Sequence, residues 1–329
     1  MKQGVINLLR NKNRPVPILA SPAAAMMGIS VSQLIESADL QAQGMAEIAK
    51  RFKPGAVLSA MDLSVEAEAF GCTVRKSDSE VPTVEKGVIE DIFAADSIAV
   101  PEIGAGRTKI YIEGIQKAKQ IIIDRPIYCG AIGPYSLAGR VFDMTELMME
   151  CYDSSDEVKT LLEKCTEFII KYITALKKAG ADGVILAEPA AGLLSPEMCD
   201  EFSCAYIKEI VAATADESFV FCYHNCGNTV TASADRIAAI GADVFHFGNV
   251  INLKDIIPLM PAESIVMGNV DPLLFRDGTP EKIEGSCHRI YDECKEFDNF
   301  MLSSGCDIPA TAKTENIEAF FNCVNKLYE

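Results

Sequence analysis

Eight short apolar runs, each bounded by turn-forming residues and followed by a longer stretch of helical period, set the strongest limit on what this chain can fold into. They read VPILASP from Val16, AVLSAMD from Ala56, PIYCGAIGP from Pro126, GVILAEP from Gly183, FVFCYH from Phe219, VFHFG from Val244, SIVMGNV from Ser264 and NFMLSSGC from Asn299. This is the pattern of repeated β-α units. No low-complexity linker and no short internal repeat interrupts it, so the sequence predicts an α/β fold: a (β/α)8 TIM barrel spanning residues 1–329 as a single domain with N-terminal helical decoration.

Several helices announce where they start. Ser195-Pro196-Glu197 and Thr279-Pro280-Glu281 each offer a capping hydroxyl, a proline at the first helical position and an acid at the positive dipole end. From Glu157 to Lys178, apolar residues recur every three to four positions, from Val158 and Leu161 through Tyr172 and Leu176, which predicts a core-facing helix stopping at Gly180.

Composition narrows the partners. The formal charge is −17, from 47 acids against 30 bases, which argues against a surface for nucleic acid or anionic lipid. The longest apolar runs, such as Val16–Ala20 and Ile121–Ile123, fall far short of the ~20 residues a membrane helix needs. MKQGVINLLRNKNRP lacks the apolar stretch and cleavage site of a secretory signal, so the expected location is the cytoplasm. In a reducing compartment most of the 12 cysteines are packing residues, and Cys129, Cys165 and Cys204 are read as core.

In a barrel of this kind the chemistry sits at the C-terminal ends of the strands. Those ends are unusually polar here: Asp62 closes the second run, Glu188 the fourth, His224 and Cys226 the fifth, Asn269 and Asp271 the seventh, Cys306 and Asp307 the eighth. Within FCYHNCGN (221–228), His224 and Cys226 stand two apart on an extended segment and project to one side. Zinc favours His nitrogen and Cys sulfur, and catalytic zinc keeps three protein ligands with a fourth position open. Cys306 would be the third. A His-x-Cys pair alone is commonplace; its coincidence with Cys306 on the same predicted rim, each cysteine beside a glycine (Gly227, Gly305), is what points to metal.

The same residues carry a resemblance. MDLSVEAEAFGC from Met61, VPTV from Val81, IGPYSLAG from Ile132, AGADGVILAEPAAGLLSPEM from Ala179, GNVDP from Gly268 and SSGCDIPATAKTENIEAF from Ser303 resemble the uroporphyrinogen decarboxylase superfamily. Within it, the likeness is to the zinc-dependent corrinoid methyltransferases, including the methylcobamide:coenzyme M type. That resemblance maps the metal motif, His-x-Cys and a distant Cys, onto His224, Cys226 and Cys306. Decarboxylases carry an Arg-Gln-Ala-Gly-Arg element near the N-terminus, whose arginines bind porphyrinogen carboxylates. This chain reads ILASPAAAMMG from Ile18, with no guanidinium to replace that bidentate fork.

The resemblance implies Zn2+ as cofactor, a methyl-corrinoid on a corrinoid protein as methyl donor, and a small-molecule thiol, activated at the zinc, as acceptor. Glu188 is the expected fourth ligand, one that yields to the incoming thiol; the competing reading is a carboxylate capping a helix. Asp62, Asn269, Asp271 and His246 are expected to bind substrate or orient the ligands, with Asp271 before Pro272 equally a turn residue. Cys222 lies below the rim, and His288 falls in a helix away from it. Relatives often carry acids after the sixth run, where this chain has Gly248 and Asn249, which leaves the acceptor open. Two other readings stay open: a decarboxylase-like enzyme, and a non-catalytic corrinoid- or metal-binding member of the fold.

Overall fold

The computed structural model describes residues 2–329. Nine strands form in chain order: β1 Val57–Leu58, β2 Thr73–Arg75, β3 Thr83–Lys86, β4 Ile127–Ile132, β5 Gly183–Ala187, β6 Val220–Asn225, β7 Val244–Phe247, β8 Ile265–Val270 and β9 Phe300–Ser304. Seven make one sheet in the order β1-β4-β5-β6-β7-β8-β9, with every neighbouring pair parallel. Helices separate successive strands and pack outside, which is the (β/α)8 architecture the repeating pattern predicts.

Alternation along the strands sorts side chains into two layers. Leu58, Tyr128, Ile185, Val220, Cys222, Val244, Met267 and Met301 fill the barrel interior. Val57, Cys129, Leu186, Phe221, Phe245 and Leu302 pack against the surrounding helices. The N-terminal helix Gln3–Arg10 is part of the interior layer: Val5 and Leu8 join it, so this helix stoppers the barrel's N-terminal end. Lys2 fixes it there, its Nζ 2.9 Å from Asp243 and 3.2 Å from the Phe219 carbonyl.

The first predicted run departs from expectation. Val16 and Ile18 face the interior and Leu19 faces outward, as in a strand, yet the segment has no ladder. Pro15 and Pro17 have no N–H to donate. Side chains of β9 stand in for the missing backbone pairing: Ile18 N–H donates to Ser304 Oγ (3.0 Å), and Ser303 Oγ donates to the Val16 carbonyl (3.0 Å). The barrel wall is therefore seven laddered strands and one segment tied to β9 by serine hydroxyls, with Gly55 N–H donating to the Pro15 carbonyl (3.1 Å) and Ile308 N–H to the Ile18 carbonyl (2.9 Å).

The antiparallel pair β2–β3, largely exposed, is an insertion that the run pattern did not register. Helix signals fare well. Ser195 Oγ accepts from Met198 N–H (3.3 Å), and the long helix covers Ser155–Ala179, with Gly180 at φ 113° in the left-handed conformation that favours glycine. A helix does begin at Pro280, but Thr279 makes no side-chain capping bond. Among the described residues, no helix is long and apolar enough to cross a membrane.

Candidate metal centre

His224 lies inside β6, whose alternation points Val220, Cys222 and His224 inward. Cys226 is the second residue past His224, in the turn that follows, and Cys306 stands just beyond β9. The ligand atoms of His224, Cys226 and Cys306 all lie within 4.8 Å of one another. Nε2 of His224 and Sγ of Cys306 are 3.5 Å apart. Zinc–nitrogen and zinc–sulfur bonds of about 2.0 and 2.3 Å give tetrahedral edges of about 3.5 to 3.8 Å, so this donor set fits zinc in type and spacing. His224 is buried, and the two thiols are half-buried. The neighbouring Cys306 thiol and imidazole hold the Cys226 thiol below its ordinary pKa, while the neighbouring Cys226 thiol and burial push Cys306 up.

The turn carrying Cys226 is built by its neighbours. Gly227 N–H donates to Asn225 Oδ1 (2.8 Å), closing the bend. Gly248 then allows close approach: a Cβ there would lie 2.6 Å from Cα and 2.7 Å from Cβ of Cys226. This gives a steric reason for the absence of an acid at position 248, since any side chain would displace Cys226.

His246 is paired with His224 in the β6–β7 register and is fully buried. The two Nδ1 atoms are 2.8 Å apart, and His246 Nε2 is 3.1 Å from Ser303 Oγ. Burial, then the neighbouring imidazole, hold the pKa of His246 well below the ordinary value, so it is neutral. Ser303 did not stand out in the sequence; only its place on β9 opposite the histidines could have marked it.

Glu188 corrects the expectation of a fourth ligand. Ala187 faces the interior, so the next residue faces out, and Glu188 lies outside the converging group. Its Oε2 accepts from Tyr135 N–H (2.9 Å) and its Oε1 from Ser136 N–H (2.7 Å). It caps the helix Pro134–Val141, from across the sheet rather than along the chain, and burial raises its pKa to about 7.

The remaining rim residues divide by what they touch. Asp62 is buried against Arg107 and accepts from Tyr111 OH (2.9 Å) and Ser64 Oγ (2.6 Å); Arg107 also reaches Glu68 (2.6 Å). That network braces the loop after β1 and leaves Asp62 no free oxygen for substrate. Asn269 donates to the carbonyls of Gly248 (2.9 Å) and Ile251 (2.6 Å), and so pins the loop against which Cys226 rests. Asp271 caps the helix Pro272–Asp277 through Leu273 N–H (2.9 Å), the turn role the following proline suggested. Asp307 has one carboxylate oxygen without a partner, and burial raises its pKa to about 8. Cys222 lies in the barrel interior, Cys129, Cys165 and Cys204 are buried, and His288 is on an exposed helix face.

An imidazole and two thiols thus converge at the C-terminal end of a parallel barrel, a donor set of the type and spacing that a metal ion takes. The sequence model described as uroporphyrinogen decarboxylase (URO-D) matches residues 15–327, and the chain belongs to that family. Its relatives include the methylcobamide:CoM methyltransferase MtbA of Methanosarcina mazei, 28% identical over 279 residues, covering 82% of this chain and 78% of that one. The MtbA of Methanosarcina acetivorans is 26% identical over 275 residues, covering 82% and 78%. A uroporphyrinogen decarboxylase of Flavobacterium johnsoniae is 25% identical over 305 residues, covering 88% and 85%. Among solved structures, a methyltransferase from Methanosarcina mazei superposes with a TM-score of 0.87 at 22% identity, over 100% of both chains, which shows the shared fold.

Proposed function

We propose that this protein is a methyltransferase that moves a methyl group from a methyl-corrinoid, presented by a corrinoid protein, to a small-molecule thiol, with zinc held by His224, Cys226 and Cys306. We read it as one barrel domain acting in the cytoplasm. The observation that carries this reading is the convergence of one nitrogen and two sulfurs within 4.8 Å at the mouth of the barrel. Its relatives named as methylcobamide:CoM methyltransferases support it.

Bound zinc would stabilise a thiol in its deprotonated form at neutral pH. The chain's own residues prepare for that. Two cysteinates and a neutral imidazole balance a dication, so an added thiolate keeps its electron density and remains a nucleophile. The thiol proton would pass to solvent. In that transfer the acceptor sulfur would form a bond to the methyl carbon as the cobalt–carbon bond breaks, its electron pair staying on cobalt. Leu193, Val250 and Leu273 stand 57%, 62% and 49% exposed on the segments after β5, β7 and β8, an apolar rim suited to a corrinoid face laid over the opening.

The helix Ala23–Met27, in the segment where decarboxylases carry their arginines, has only alanine and methionine, which disfavours a decarboxylase of poly-acidic tetrapyrroles. The test is spectral. Zinc-loaded protein is incubated with methylcobalamin, and with methylated corrinoid protein, in the presence of a thiol panel that includes coenzyme M and homocysteine. Loss of the methyl–cobalt absorption band with thioether formation is expected. No loss with any thiol in either donor form, or decarboxylation of uroporphyrinogen by metal-free protein, overturns the reading.

A further inference from the structure

Four groups form a chain of hydrogen bonds whose direction is fixed from its two ends. The Val16 carbonyl can only accept, so Ser303 Oγ, 3.0 Å away, spends its single proton there. Ser303 must then accept from His246 Nε2, at 3.1 Å, which puts a proton on that nitrogen. At the other end the His246 carbonyl, 3.2 Å from His224 Nδ1, can only accept, so His224 Nδ1 carries a proton. His246 Nδ1, 2.8 Å from the same nitrogen, must then accept through a lone pair. With its proton on Nδ1, His224 is left with a lone pair on Nε2, the atom 3.5 Å from Cys306 Sγ.

We propose that His246, backed by Ser303, is a positioning residue that sets the tautomer and ring rotation of His224 so that its Nε2 lone pair faces the two thiols. The inference rests on the zinc reading for its purpose but not for its geometry. Metal-bound histidines usually donate their other N–H to a carboxylate, a carbonyl or water, which fixes the ring and raises its basicity. Here the nearer acceptor is a neutral imidazole, with the His246 carbonyl as the second. It orients the ligand without adding negative charge to a site that already holds two cysteines and must admit a further thiolate. A carboxylate in that place would work against the incoming anion.

Two measurements decide it. The chain has three histidines, so their nitrogen resonances can be assigned in 15N-labelled, metal-free protein, with His288→Gln removing the third signal. Expected are the Nε2–H tautomer for His246 and the Nδ1–H tautomer for His224; the reverse pattern for either overturns the proposal, whether or not the protein binds zinc. The second reads zinc affinity by chelator competition. His246→Leu is expected to weaken it about 10- to 100-fold with the thermal transition retained, while His246→Asn, whose Oδ1 replaces the Nδ1 acceptor, restores it to within a few-fold. Unchanged affinity in His246→Leu overturns the proposal. Wild-type protein that binds no zinc would sink the zinc reading alone, leaving the tautomer result to judge the positioning role.

Discussion

Sγ of Cys306 lies 3.5 Å from Nε2 of His224 although 82 positions separate them in the chain. Only barrel closure brings them together, and it does so at the edge length of a tetrahedral zinc site. Purified protein should carry one zinc per chain, and Cys226→Ser or Cys306→Ser should each reduce this to near zero, read by elemental analysis. Retention of full zinc by both variants would mean the metal binds elsewhere.

Gly248 is the seat of Cys226. Gly248→Ala puts a methyl group within 2.7 Å of the Cys226 Cα and Cβ, so the sulfur must move. Zinc affinity should fall more than tenfold while the far-ultraviolet circular dichroism is unchanged. Wild-type affinity in the alanine variant would show that the loop after β7 yields freely.

Arg107 neutralises Asp62 in a buried network, so its loss leaves an uncompensated buried carboxylate. Arg107→Met should cost about 3–5 kcal/mol of unfolding free energy in urea titrations. Asp62→Asn introduced alongside should recover part of it. If the double variant is no better than the single one, the guanidinium acts through packing and not through charge.

Glu66 supplies a pH dependence with a definite sign. It is buried, accepts from Ile132 N–H at 3.0 Å, and burial raises its pKa from 4.5 to about 7. The folded state therefore holds a proton that the unfolded chain has already lost, and this group's contribution to stability declines as pH rises from about 4.5 to 7. Glu66→Gln does not titrate. Its stability relative to wild type should rise by about 3 kcal/mol between pH 4.5 and 8 in denaturant titrations. A constant difference across that range would contradict the shift.

The strands and the three converging donors were legible because both depend on local pattern: short apolar runs, and ligand types at run ends. Glu188 shows where that logic stops. Residue type and strand position made it a plausible ligand, but side-chain parity turned it outward, and its partners lie more than fifty positions away, on a helix that its own neighbourhood does not reveal. Arg107 and Ser303 were silent for the same reason, since a buried pairing has no local signature. The first run deceived in the opposite sense. It alternates like a strand, yet Pro15 and Pro17 remove the donors that a ladder requires.

That proline-bearing run gives the fold a mechanical economy. The hydroxyl of Ser303 both rivets Val16 to the neighbouring strand and ends the relay through His246 to His224. Wall and imidazole share one fastener. By thermodynamic linkage, whatever draws the imidazole into its working orientation also tightens the seam, and whatever loosens the seam frees the imidazole to turn away.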